Sequence, residues 1–208
     1  MRGDAGWSDT TNANIHDRNF ALDHGIIGLN GNGYIGSGWF IGGGVGRQFF
    51  GHFRGEIVYT YRGGYHLDQL DAGTPPTQLR FDLAANSVMA NAYADFPLRF
   101  PGVVPFLGFG VGWSETNMSN LTAMNVSSTS NAPGGTSDNF GWQAMAGVGF
   151  AVTDGIIVDL FYRYFDGGHI KTRAGQIVSS GVVVGTYQGA EGSFHAHELG
   201  VSIRFPLH

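Results

Sequence analysis

The residues best suited to chemistry in this 208-residue chain lie near its C-terminal end. Ser193, His195 and His197 alternate along one strand face, and His169 can approach them across the last hairpin. Three imidazoles would suit zinc. A rim-facing Ser/His/acid set would instead suit hydrolysis of a membrane lipid. Solvated histidines at a loop base explain the same residues without chemistry, and that reading is favoured. The second candidate is ionic. Arg2, Arg54, Arg62, Arg163 and Arg204 share a strand parity with Asp4, Glu56, Asp95, Asp159 and Glu198. Arginines and carboxylates converging in a cleft can mean catalysis. Here the two signs balance and spread over several strands, so structural pairing is expected. The serines of that parity, Ser8, Ser87, Ser114 and Ser202, have no histidine beside them to act as base.

The elements that must position these groups are strands. Eight alternating segments can be read, at about 2–10, 34–47, 53–66, 79–96, 104–117, 140–153 and 156–171, with the last inside 195–207. On one face lie Ala5 and Trp7; Ile35, Trp39, Ile41 and Val45; Ile57, Tyr59, Tyr61 and Tyr65; then Val88, Ala90, Ala92 and Phe96. The same face continues through Leu107, Phe109, Val111 and Trp113, then Trp142 to Phe150, Val158 to Tyr164, and Leu199 to Phe205. The opposite face carries the charges and many glycines. The upper part of the fourth segment alternates poorly.

Composition fits such strands. Charged residues are only 13% of the chain, about half the usual soluble level, while glycine reaches 35 residues and aromatics 13%. There is no cysteine, which excludes disulfides and thiolate metal sites. A net charge of −5 without a basic run argues against nucleic acid. No apolar stretch approaches the roughly 18–20 residues of a spanning helix. A mean hydropathy of −0.04 is expected if only alternate residues face lipid. No signal peptide is read, so an export signal is taken as removed.

Connector lengths add direction. Short links at 49–52, 97–102 and 153–155 alternate with long ones at about 11–33, 67–78, 118–139 and 172–192. Short turns at one rim and long loops at the other are the pattern of a membrane barrel. The expectation is one all-β domain over residues 1–208: an eight-stranded antiparallel up-and-down transmembrane β-barrel with short periplasmic turns and long extracellular loops. Trp7, Trp39, Tyr61, Tyr65, Trp113, Trp142, Tyr164 and Phe205 then fall near outward strand ends, as an interfacial aromatic girdle. The ten charged residues fill a narrow lumen as a paired network. Arg2-Gly3-Asp4 spells an integrin-binding tripeptide, but with both charges turned inward it is a chance match.

Several segments also resemble a known family. Arg2-Gly-Asp-Ala-Gly-Trp7, Asn91-Ala-Tyr-Ala-Asp-Phe96, Pro105-Phe-Leu-Gly-Phe-Gly-Val-Gly112, Trp142-Gln143, Tyr162-Arg-Tyr-Phe165 and His197-Glu-Leu-Gly-Val-Ser-Ile-Arg-Phe205 resemble the opacity-type, OmpA-like small outer-membrane barrels of alphaproteobacteria. That resemblance implies a surface antigen, adhesin or envelope-stabilising protein in a bacterial outer membrane. It implies partners among outer-membrane lipid, lipopolysaccharide and proteins met through the loops, no cofactor and no enzymatic activity. The alternatives are a narrow porin-like channel for small solutes or, less favoured, a lipid hydrolase.

Overall fold

A computed structural model describes residues 1–11, 16–17, 35–71, 77–98, 102–124, 129–153, 155–179, 181–187 and 189–205. Eight long strands form the body: β1 (Arg2–Thr11), β2 (Ser37–Phe49), β3 (Phe53–Asp71), β4 (Thr77–Asp95), β5 (Val103–Met118), β6 (Gly135–Thr153), β7 (Ile156–Lys171) and β8 (Ala190–Arg204). Each pairs antiparallel with its chain neighbour. β1 also pairs with β8, from Arg2 opposite Arg204 to Thr11 opposite His195, and this closes the barrel. Closure leaves the body without a sheet edge, as a wall without water on its outer side requires.

The residues on the two faces of the wall change character along its height. On the turn side, β4 turns Val88, Ala90 and Ala92 out and Ser87, Asn91 and Asp95 in. Higher up, the same strand turns Arg80 and Asp82 out and Phe81, Leu83 and Ala85 in, with no break in parity. β8 switches likewise, from Leu199 and Val201 out to His195 and His197 out, with Phe194 and Ala196 inside. An apolar side chain turns away from water wherever water is. The inversion therefore marks the height at which the outer surface passes from lipid to water. Below it, β5 offers the 11 residues Val103–Trp113 to the apolar band, in line with the about 9–11 residues a tilted strand needs to cross.

Two expectations of facing are corrected. Tyr65 points inward and is fully buried, not part of an outer girdle. Arg62 pairs with Ala85 but Tyr65 with Leu83, so two residues of β3 oppose one of β4. This bulge falls on Gly63-Gly64, where Gly64 has φ +82°, and it reverses the parity beyond it. Ile35 is also buried rather than outward, because Gly36 at φ +103° breaks the alternation before β2.

The connectors expected at 67–78, 118–139 and 172–192 are largely strand. β3 and β4 each run 19 residues, well beyond the apolar band. Hairpin strands Leu121–Met124 and Thr129–Ala132 pair with β4 on one side and with Gly175–Ser179 on the other. Gly175–Ser179 in turn pairs with Val182–Tyr187. Most of the segment expected as a loop at 11–33 lies outside the described residues; within it, His16–Asp17 pairs with the start of β8.

Candidate functional site

Inside the barrel, eight of the ten charged residues form one contiguous network, joined through Arg2 and Asp4 at 3.7 Å, and Arg204 with Asp159 makes a separate pair. Glu198 sits at the centre of the half farther from the turn rim, with its side chain fully buried. Arg62 donates from Nε to its Oε1 at 2.7 Å. Arg163 donates to Oε2, and Ser8 donates to Oε1 at 3.1 Å. Arg62 also donates to Ser87 at 2.7 Å and lies 3.6 Å from the Phe165 ring centroid. Arg163 reaches Asp4 at 3.5 Å and stacks over Phe40. Nearer the turn rim, Arg2 pairs with Glu56 at 2.9 Å and donates to the Tyr93 hydroxyl at 2.8 Å. Arg54 bridges Glu56 at 3.0 Å and Asp95 at 2.8 Å. Arg204 makes two 2.7 Å hydrogen bonds to Asp159, which also accepts from Ser202.

Every carboxylate of the ten is thus in contact with at least one guanidinium. Glycines admit these long side chains. A Cβ at Gly42 would lie 2.6 Å from Asp4 Oδ1, and one at Gly149 2.7 Å from Asp159 Oδ1. Aromatic faces supply the rest of the packing, with Arg54 over Tyr93 and Phe106. Buried charges need such pairing and packing, because an uncompensated one costs several kcal/mol.

Above this layer the interior is mainly apolar, with a few buried hydroxyls such as those of Thr10 and Thr116. Tyr65, Leu67, Phe81, Leu83, Met118, Leu121, Phe165, Ile170 and Phe194 pack into one buried cluster. Phe194 meets Tyr65 and Phe165 edge-on at 5.5 and 6.0 Å, and Tyr65 donates to Ser8 at 2.5 Å, which ties the cluster to the Glu198 group. This apolar closure was not foreseen from sequence; its signal was the reversed facing of Phe81, Leu83 and Phe194.

On the outer wall stand Trp7, Trp39, Tyr61, Trp113, Trp142, Tyr164 and Phe205. Trp39 packs against Tyr61 at 5.5 Å, and Trp142 against Tyr164 at 5.3 Å. Trp142 Nε1 donates to Asp166 at 3.1 Å, and Trp113 Nε1 to Asp138 at 3.2 Å. These two indoles thus stand on the outer wall with the N–H turned to a carboxylate. The histidines belong to this wall. His195 Nδ1 meets the Tyr164 hydroxyl at 3.1 Å and its Nε2 lies 3.9 Å from Asp166. His197 bonds Tyr162. Ser193 stands directly opposite His169 in the β7–β8 register, as expected across the last hairpin, but among the described residues no hydrogen bond joins the two side chains. Among the described residues no three metal-ligating side chains converge.

Fold and wall together define a class: a closed antiparallel barrel that crosses a bacterial outer membrane. The chain belongs to the outer membrane protein beta-barrel domain family, which it matches over residues 1–205. It is 30% identical over 144 residues to the outer membrane protein PagN of Salmonella typhimurium, an alignment covering 62% of this chain and 59% of PagN. It is 35% identical over 82 residues to an uncharacterized protein of Brucella abortus, covering 38% of this chain and 28% of that one. The chain thus spans well under two thirds of the curated relatives it matches. Its fold is similar to that of OprG from Pseudomonas aeruginosa, with TM-score 0.55, 13% identity, and 99% and 95% of the two chains covered. Neisserial surface protein A is similar too, at TM-score 0.50 and 19% identity, with 98% and 96% covered.

Proposed function

We propose that this protein is a non-conducting, non-enzymatic scaffold that holds a β-structured surface outside the cell for contact with other molecules. The observation that carries the reading is the double closure of the lumen, ionic below and apolar above, beneath walls that continue as paired strands beyond the membrane. A channel would need a continuous wet path, and the cluster around Phe194 leaves none to expect. A hydrolase would need a serine bonded to its base; Ser193 has His169 opposite it but no hydrogen bond to it, and His195 is engaged by Tyr164 and Asp166. The outward indoles and tyrosines act as an interfacial girdle against membrane lipid, and lipopolysaccharide meets the wall at the height where its polarity inverts.

The test is to replace residues 119–134 and 173–189 by short turns and photo-cross-link intact bacteria that display either form. The trimmed barrel is expected to insert normally and to lose the surface cross-links of the parent. Unchanged cross-links would overturn the reading, as would release of fatty acid from lipid by the parent protein and not by its Ser193→Ala variant.

A further inference from the structure

The β2–β3 turn has the most exposed large apolar side chain among the described residues, Phe50 at 93%. It also adopts φ +49°, the one non-glycine in the left-handed region among the described residues. A bulky residue rarely stands there, since its Cβ crowds the following carbonyl oxygen. Glycine or asparagine would serve the turn better, so conformation does not account for a phenylalanine at this position. An observed outlier of this kind points to a role for the side chain.

The neighbours indicate what the role is. The outward face of β2 runs Trp39, Ile41, Val45, Arg47 and Phe49, and that of β3 runs Tyr61, Tyr59, Ile57 and Phe53, so Arg47 is the one outward charge of this hairpin near its turn. Phe49 lies over Gly55, where a Cβ would come within 3.3 Å of its ring. Near the opposite rim the wall turns polar outward where it enters water. At the turn rim this hairpin has a single outward charge, Arg47, whose long stem can lie along the apolar wall while its head meets lipid headgroups. Beyond it the face is apolar again at Phe49, Phe53 and Phe50. The β4–β5 turn, two strands along, also starts with exposed Phe96 and Leu98. The third turn, Thr153–Gly155, carries no aromatic residue.

We propose that the β2–β3 turn is not a periplasmic loop in water but a lipid anchor, with Phe50 inserted among the phospholipids of the inner leaflet. The occupant is lipid because the surface is continuous with the lipid-facing wall. Insertion offsets the backbone cost of the turn and seats this side of the barrel deeper than the Thr153–Gly155 side.

The absence of cysteine allows a clean test. Single nitroxide labels are placed at His52→Cys, at Leu199→Cys in the apolar band, and at Gly155→Cys in the third turn. The protein is folded into vesicles of phosphatidylethanolamine and phosphatidylglycerol, with folding of each variant checked by its heat-dependent gel mobility. The label at 52 is expected to resemble 199, open to oxygen and several-fold more shielded from a water-soluble nickel chelate than 155. Adding Phe50→Asn, which suits the left-handed turn, should move label 52 toward the chelate exposure of 155. Equal chelate access at 52 and 155 in the parent would overturn the proposal and leave the turn free for a periplasmic protein. A label at 52 indifferent to Phe50→Asn would also overturn it.

Discussion

Glu198→Ala should be the most damaging single truncation in the ionic interior. The change removes the carboxylate that Arg62 and Arg163 share and leaves two guanidiniums facing each other in a fully buried space. Deleting one partner of a buried pair costs about 3–5 kcal/mol, because the remaining charge is uncompensated. Here two charges are left, and Asp4 at 3.5 Å relieves only Arg163, so about 4 kcal/mol is a fair central figure. With a urea slope of about 2 kcal/mol/M, the midpoint should fall by about 2 M. Tryptophan fluorescence of protein refolded in phospholipid vesicles reads that midpoint. The double change Glu198→Leu with Arg62→Leu should recover part of the loss, since it removes one of the two orphaned charges and fills the space with apolar side chains. If Glu198→Ala shifts the midpoint by less than about 0.5 M, the network does not hold the interior and the reasoning fails.

Three further changes probe other parts of the wall and interior. Phe194→Ala should cost about 3–5 kcal/mol in the same assay, because the ring packs between Tyr65 and Phe165 and leaves a cavity; a loss under about 1 kcal/mol would mean the cluster is loose. Gly64→Val should destabilise by about 1–3 kcal/mol, as its φ is +82° and a Cβ would sit 3.0 Å from the Trp39 ring. Gly3→Val, with open space around it, should stay near parental stability.

The barrel and its ionic filling were legible because alternation is a local property. Ten charges of one parity on strands such as Arg2–Asp4 and Arg54–Glu56–Arg62 could only converge once the sheet closed. Which arginine meets which carboxylate was not legible. Arg62 reaches Glu198 across 136 positions of chain, and that pairing depends on closure between β1 and β8. Tyr65 and Ile35 were misplaced because glycines absorb parity changes silently, although Gly63-Gly64 inside a strand is a bulge signal that can be read. The apolar closure around Phe81, Leu83 and Phe194 was hidden for a different reason. Above the membrane the outer solvent changes, so the same alternation carries the opposite meaning, and the fourth segment looked irregular where it had only inverted. The outer hairpins escaped because short polar strands such as Thr129–Ala132 carry little alternation of their own and are set by pairing, with Leu121–Met124 beside them and with distant Gly175–Ser179.

The most direct test of the closed interior is current through a planar bilayer holding the purified protein. The account predicts no stepwise conductance above the bare membrane at any holding voltage that the bilayer withstands. Reproducible single-channel openings from the folded parent would mean a wet path runs past Glu198 and Phe194, and would contradict it.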